Sequence, residues 1–195
     1  VPSLHGAEAD SAGLSVFVAR RKPFSGALCA IITFDPASAV PVWNAVHAAG
    51  ATLAGALTYN TLRISAGITA YWREICGDFL PLEGGLWYEV SFTKGCYTGQ
   101  EIIARMESRA RLAKVMVRVT LDGPTDAPTR LHDDGKSVGT LTSAVTTITG
   151  EHLGIAVVKN ALAEAGASFT TENGITATIR DLAGAAPPER MLKGN

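Results

Sequence analysis

Residues 94–101 are Lys94-Gly95-Cys96-Tyr97-Thr98-Gly99-Gln100-Glu101. They combine two glycines, a thiol, a cation, an amide and a carboxylate, and a loop without a functional role rarely contains all of these. The two glycines allow left-handed or close-approach backbone on either side of the thiol of Cys96. A helix is predicted to begin at Gly99, and N–H groups at a helix start stabilise negative charge. Lys94 adds a nearby cation, so both effects favour the thiolate form of Cys96.

Two interpretations of Cys96 stand side by side. It is either a reactive thiol or a small buried residue in a glycine turn, because buried cysteines are usually inert. Cys29, inside an apolar run, and Cys76, in a loop, are expected to be structural. The three cysteines form no C-x-x-C pair and no zinc-type cluster with the histidines. We therefore predict thiols in a reducing compartment and no metal site.

Composition narrows the class of protein. The chain has 195 residues, 47% of them hydrophobic, which is enough for one large core or two small ones. The formal net charge of −1 supplies no general attraction for nucleic acid, and direct nucleic-acid binding is not expected. No apolar run is long enough for a membrane span, and residues 1–20 lack the order of a signal peptide. A cytoplasmic protein without a membrane partner is predicted.

The first half of the chain has the pattern of a layered α+β domain. Residues 1–13 are expected to form an irregular, extended start, and Ile68–Leu86 is expected to be an ordered, irregular connection. Ser38 is the expected cap of the first helix, which ends at Gly50. The predicted strands and helices are Leu14–Arg20, Gly26–Phe34, the helix after Ser38, Leu57–Ala66 and Gly99–Ser108.

The pattern changes from Leu112 onward, where short β-rich runs alternate with turn residues. Regular spacing of such runs is typical of a small antiparallel barrel. Lys159–Gly166 is expected to be a short helix inside it. We predict domains at 1–110 and 111–184, followed by a frayed tail at 185–195. The predicted strands are Val115–Leu121, Lys136–Thr142, Leu153–Lys159, Ser168–Thr171 and Ile175–Leu182.

Four segments carry a resemblance to a known family. Residues 92–105 (FTKGCYTGQEIIAR) resemble the K-G-C-Y-x-G-Q-E signature of the YgfZ-type proteins, which are folate-binding relatives of the glycine-cleavage T-protein (aminomethyltransferase). Residues 62–68 (LRISAGI) resemble the family's L-R-I-x-A-G-I stretch, and Leu80-Pro81 resembles a further element. Residues 137–143 (SVGTLTS) resemble a strand of the family's C-terminal barrel. The resemblance covers roughly residues 14–182.

The resemblance implies a partial T-protein-like domain with a ferredoxin-like α/β layer, followed by the barrel. It implies tetrahydrofolate or a derivative as cofactor, and a role in iron–sulfur cluster assembly or repair that supports tRNA modification. Cys96 is then the working thiol. The signature residues are Lys94, Gly95, Cys96, Tyr97, Gly99, Gln100 and Glu101, and the candidate folate contacts are Arg63, Ser65, Trp87, Tyr97, Gln100 and Arg105.

The sequence also departs from the family pattern. Full-length relatives carry a longer N-terminal part. This chain is therefore expected to be either a fragment or processed form of a longer protein, or a divergent protein whose partner chain supplies that part. Iron–sulfur assembly proteins are the other expected partners. The T-protein's catalytic aspartate belongs to that part, and no complete catalytic set is visible here. Ser65 stands where the T-protein branch commonly has glutamate, and a hydroxyl offers fewer acceptors to a pterin edge. A folate-dependent aminomethyltransferase and a remnant without ligand therefore remain alternatives.

Two further groups allow both a functional and a plain structural interpretation. The first group is aromatic and is interpreted either as a stacking surface for a flat ligand or as core and rim side chains: Trp72, Trp87 and Tyr88. The second group is locally basic. It is interpreted either as a binding surface for the glutamate tail of folate or a tRNA backbone, or as a solvated surface. Its members are Arg105, Arg109, Arg111, Lys114 and Arg118.

Overall fold

The structure is a computed structural model that describes residues 6–11, 14–24, 27–109 and 112–187. The chain divides into two compact units between Leu62 and Arg63. The predicted boundary near residue 110 was drawn from the change of pattern in the sequence and stays a prediction. Arg111, Ala110 and residues 188–195 lie outside the described residues.

The N-terminal unit contains a three-stranded antiparallel sheet in the order β1-β2-β3. The strands are β1 (Gly6–Ser11), β2 (Leu14–Phe24) and β3 (Ala27–Phe34). A short 3₁₀ turn (Pro36–Ser38) leads into helix α1 (Ala39–Ala48), and helix α2 (Ala56–Ser65) spans the division between the units. Gly50 follows α1 with a φ of +94°, a backbone region that glycine enters without strain.

The second unit begins with an irregular connection and one helix. Residues 66–99 contain turns and a single isolated bridge between Tyr71 and Ile75, before helix α3 (Gln100–Ser108). Leu82 and Ile103 from this part are buried in the same apolar cluster as the strands that follow. The connection is therefore anchored on the barrel although it has little regular structure of its own.

Six antiparallel strands close the barrel in the order β4-β7-β6-β5-β8-β9, with β9 pairing back to β4. Closure pairs the backbone groups of every strand and removes the sheet edges. The strands are β4 (Lys114–Leu121), β5 (Thr129–Asp133), β6 (Lys136–Thr146), β7 (His152–Lys159), β8 (Ser168–Thr171) and β9 (Thr176–Leu182).

The run Val115–Val117 of strand β4 is buried on both faces because the strand packs in two directions there. Val115, Val117 and Val119 point into the barrel cluster. Met116, between them, joins a second cluster with Ile64 of α2 and Ile155 of β7. Side chains of a strand alternate between faces, so this continuous apolar run reflects two buried faces.

The predicted α+β class with a C-terminal antiparallel barrel is confirmed. Several local expectations were wrong. Strand β1 lies in the region expected to be an irregular, extended start, so its extended backbone was expected and its regular pairing was not, and β5 was missed. Asp35, not Ser38, caps the first helical turn, since its Oδ1 accepts from the N–H of Ala37 at 2.8 Å. The short helix expected at Lys159–Gly166 is one 3₁₀ turn over Asn160–Leu162.

The expectation of a frayed tail from Ala185 onward is wrong for its first residue. Ala185 is buried, and its N–H donates to the carbonyl oxygen of Gly85 at 2.9 Å. Gly184 donates to the carbonyl oxygen of Gly67 in the same way. The chain after β9 therefore ties the 66–99 connection to the barrel.

Candidate functional site

The Cys96 side chain is exposed in the turn before α3. Gly99 caps this helix in the left-handed region, with φ +85°. A Cβ at Gly95 or Gly99 would meet no atom within 4 Å, so open space surrounds both positions. The glycines leave the thiol unshielded, and the alternative of a small buried residue does not describe Cys96.

Short contacts hold this turn in place. The N–H of Gln100 donates to the carbonyl oxygen of Tyr97 at 3.2 Å, and the side-chain Oε1 of Gln100 accepts from the N–H of Tyr97 at 3.4 Å. Lys94 Nζ lies 4.6 Å from the centroid of the Tyr97 ring, a cation–π contact. The loop thus positions a cation beside the residue that follows Cys96.

Helix α3 presents a charged outer face and one buried anchor. Arg105 donates from Nη2 to Oε1 of Glu101 at 2.6 Å, one turn away, and both side chains are exposed. Ile103 is buried in the barrel cluster. Glu101 lies in the first turn, where the helix dipole stabilises a carboxylate. Arg105, predicted to contact folate, is therefore accessible but already paired.

Arg63, another predicted folate contact, lies in a buried polar network. Its Nη1 is 3.4 Å from Oε2 of Glu74, and its Nη2 donates to Oγ of Ser143 at 2.9 Å. Oε1 of Glu74 lies 2.6 Å from both the Thr142 and Ser143 hydroxyls. Its Oε2 accepts from the N–H of Ala70 at 2.9 Å. The guanidinium ties α2 and the connection to strand β6.

Ser65 is half-buried, and its carbonyl oxygen accepts from Nη1 of Arg118 at 2.5 Å. Arg118 also donates from Nε and Nη2 to the two carboxylate oxygens of Asp181. The pKa of Arg118 is raised, chiefly because Asp181 accepts these hydrogen bonds, although burial opposes the rise. The cation thus joins β4, β9 and the end of α2.

Trp87 is half-buried against the barrel cluster and stacks on Phe92, with ring centroids 6.4 Å apart. Its indole Nε1 is buried and has no hydrogen-bond partner among the described residues. Buried indole N–H groups usually find an acceptor. Of the predicted folate contacts, Trp87 is the one with an unused buried donor.

The predicted site residues fall into separate settings. Tyr97 and Gln100 share the turn of Cys96, and Arg105 is on the adjoining helix. Arg63 is committed to the buried network instead. Sequence reasoning missed Glu74, whose role depends on Thr142 and Ser143 almost seventy positions away. A glutamate between Arg73 and Ile75 gave no local signal of that distant partner.

Three described members of the locally basic group, Arg105, Lys114 and Arg118, do not form one open patch of cations. Arg105 pairs with Glu101, and Arg118 pairs with Asp181. Lys114 is half-buried with its Nζ 5.5 Å from the Phe79 ring centroid. These pairings favour the structural interpretation of the group over a nucleic-acid surface.

Two general properties complete the description. Over the ranges that the structure describes, no group of three or more His, Cys, Asp and Glu side chains is placed to hold a metal ion. In the same part of the chain, no helix has the length and apolar character needed to cross a membrane. No disulfide joins the three cysteines, all of which are described.

No family model matches the chain, but comparison with known proteins finds relatives by sequence. It is 36% identical over 158 residues to "Putative transferase At1g60990, chloroplastic" from Arabidopsis thaliana, a match that covers 79% of this chain and 37% of the relative. It is 30% identical over 166 residues to the aminomethyltransferase of Halothermothrix orenii, covering 81% of this chain and 46% of the relative.

A solved structure gives the same result for the fold. The glycine cleavage system aminomethyltransferase T from Bartonella henselae matches with a TM-score of 0.71 at 19% identity. The match covers 86% of this chain and 49% of that one. The chain spans less than half the length of these relatives. The sequence and structural matches agree with each other, and this chain is homologous to part of the aminomethyltransferase superfamily.

Proposed function

We propose that this chain is a folate-binding factor of the YgfZ type that supports iron–sulfur cluster assembly or repair, and thereby tRNA modification, through the thiol of Cys96. The observation that carries the proposal is the exposed Cys96 side chain in a glycine-flanked turn before α3. The resemblance of residues 94–101 to the K-G-C-Y-x-G-Q-E signature supplies the subtype.

Folate binding has one structural support in the chain itself. The buried Nε1 of Trp87 has no acceptor among the described residues, which is the state expected of a donor that meets a ligand. Tyr97 and Gln100 add an aromatic ring and an amide in the turn of Cys96. Arg63 and Ser65 would contribute less, since Arg63 is held by Glu74 and Ser143. When bound, tetrahydrofolate would supply one-carbon chemistry.

Genetic complementation tests the role of the thiol. In a strain that lacks its own family member, the wild-type chain should restore iron–sulfur-dependent tRNA modification, and Cys96→Ala should not. Cys29→Ala is the matched control, since Cys29 lies on strand β3 and outside the signature. Rescue by Cys96→Ala at equal expression would exclude a thiol mechanism.

Alkylation of the native protein tests the accessibility on which that role depends. Iodoacetamide should label Cys96 faster than Cys29 and Cys76, because Cys96 is exposed and the other two are half-buried. Mass spectrometry of peptides at short times gives the three rates separately. Equal labelling of Cys96 and Cys29 would contradict the proposal.

Folate binding is tested separately from the thiol. Titration with 5-formyltetrahydrofolate should quench tryptophan fluorescence, and Trp87→Phe should weaken binding because it removes the buried N–H while keeping the ring. Trp43→Phe, in the N-terminal unit, is the control for the loss of one fluorophore. No response in the wild type would favour the alternative of a remnant without ligand.

A second candidate function is folate-dependent aminomethyl transfer of the T-protein type. Sequence similarity favours it, since the relative from H. orenii is an aminomethyltransferase. A glycine-cleavage assay with the lipoyl carrier protein distinguishes the two functions. Turnover above background would favour transfer, and its absence together with Cys96-dependent rescue would favour the maintenance factor.

Cellular location and partners follow from the first proposal. We place the protein in the cytoplasm, although the relative from A. thaliana is named as chloroplastic. Its proposed partners are folate and iron–sulfur assembly proteins. Co-purification of the tagged protein under reducing conditions checks the protein partners.

A further inference from the structure

A cleft of about 460 Å³ lies between the 72–79 segment and the barrel. Its lining includes Trp72, Arg73, Cys76 and Phe79 from the connection. The barrel side contributes Lys114 of β4 and the threonines Thr140 and Thr142 of β6. No residue of the 94–101 signature is among the lining residues, so the cleft is separate from the Cys96 turn.

Trp72 at the cleft is strained and exposed at once. Its φ is +63°, the left-handed region that a bulky side chain rarely occupies. Its relative exposure is 76%, so the indole gains little from burial in return. Such strain persists only where surrounding contacts impose it. It is often found at ligand sites for that reason.

The contacts that impose the strain are visible. The N–H of Trp72 donates to the carbonyl oxygen of Ile75, and the N–H of Glu74 donates to that of Ala70. The buried carboxylate of Glu74 also accepts from the N–H of Ala70 at 2.9 Å. Its other oxygen contacts the hydroxyl of Thr142, which lines the cleft. Glu74 is therefore a positioning residue for this wall.

The charges around the cleft favour an anion. Two cations, Lys114 and Arg73, line it against one carboxylate, Asp78. Arg73 is held by the barrel, since its Nη1 donates to the carbonyl oxygen of Ala127 at 2.7 Å. Lys114 sits over the Phe79 ring. A half-buried ammonium at an aromatic wall interacts more strongly with an anion than a fully solvated one.

We propose that this cleft binds a small aromatic anion, an aryl carboxylate or an aryl phosphate. The flat ring stacks on the indole of Trp72, and the anionic group meets Lys114. Clefts of this volume commonly hold ligands of one or two rings. The site is independent of the function proposed for Cys96, because none of the signature residues contributes to it.

Calorimetric titration of the full chain with 2-naphthoate tests the proposal, with neutral 2-naphthalenemethanol as the matched probe and phenyl phosphate as the second anion. Naphthoate should bind and the neutral alcohol should bind at least tenfold more weakly, because the alcohol lacks the charge-assisted contact. Phenyl phosphate binding more tightly than naphthoate would identify the phosphate source. Equal binding of naphthoate and the alcohol, or no binding, would overturn the proposal.

Two variants locate the site. Trp72→Gly removes the ring and relieves the positive φ, so it should fold at least as well as the wild type and lose naphthoate binding roughly tenfold or more. Lys114→Met keeps the stem without the charge and should lose a similar factor. Lys136→Met, an exposed lysine at the start of β6 outside the cleft lining, is the control and should bind as the wild type does.

Cys76 supplies a readout that does not depend on affinity measurements. It lines the cleft, so bound naphthoate should slow its alkylation several-fold, while Cys29 labels at the same rate with or without the ligand. Unchanged affinity in both Trp72→Gly and Lys114→Met, or unprotected Cys76 at saturation, would show that any naphthoate binding occurs elsewhere and would reject the cleft as its site.

Discussion

At the residue scale, Gly99 and Gly95 form a matched pair in one turn. Gly99 has a φ of +85°, Gly95 is not in the left-handed region, and both face open space. We expect Gly99→Ala to lower the free energy of unfolding by about 1–2 kcal/mol, since an L side chain is strained there. Gly95→Ala should change it by less than about 0.5 kcal/mol.

Urea unfolding of the two variants measures this difference directly. Both variants add one methyl group at an exposed glycine of the same turn, so solvent exposure and composition are matched. An equal loss of stability in both would mean that the backbone conformation at Gly99 is not what restricts this position. A reduced rate of Cys96 alkylation in Gly99→Ala alone would further tie the turn to thiol accessibility.

Residues that act through local backbone chemistry were predictable, and residues that act through distant partners were not. The glycines and the cysteine of residues 94–101 predicted a turn around Cys96, and the structure shows the cysteine exposed there. Asp35 rather than Ser38 caps the first helical turn. Capping depends on the orientation of the side-chain oxygen, which the spacing of residues in the sequence does not determine. Arg63 was predicted at the ligand, yet its partners Glu74 and Ser143 come from elements that only folding brings together.

At the element scale, the Glu74 network joins α2, the connection and β6. Glu74→Gln would leave the buried guanidinium of Arg63 without its carboxylate and should cost about 3 kcal/mol of unfolding free energy. The exposed pair of Glu101 and Arg105 is the control. Glu101→Gln should cost less than about 1 kcal/mol, because exposed pairs contribute little.

Thermal or urea unfolding of the two variants decides the matter. Similar small losses in both would show that Thr142, Ser143 and the amide of the new glutamine satisfy the site without charge.

The barrel strands themselves were predicted because their short runs and turn residues repeat regularly. Strand β5 was not predicted because Thr129–Asp133 is short and polar at every position except Leu131, so that its pairing with β6 and β8 defines it as a strand.

At the scale of the whole molecule, the two units differ in how completely they bury their strands. In the barrel, Val117, Leu131 and Val158 have no solvent exposure, and ring closure leaves no open edge. In the N-terminal sheet, Phe17 and Ile31 are 44% and 42% exposed. Amide exchange follows local opening free energy, which grows with buried apolar contact.

We therefore expect hydrogen–deuterium exchange to divide the described chain into two classes. Peptides from β4, β6 and β7 should stay protected longest, because opening them disrupts a closed ladder around a filled core. Peptides from β2 and β3 should exchange at least tenfold faster, since a three-stranded sheet with exposed side chains has little burial to lose. Mass spectrometry of matched peptides, normalised to the unfolded chain, gives the rates. Equal protection of β3 and β7 would contradict the expectation and would mean that another surface covers the N-terminal sheet in solution.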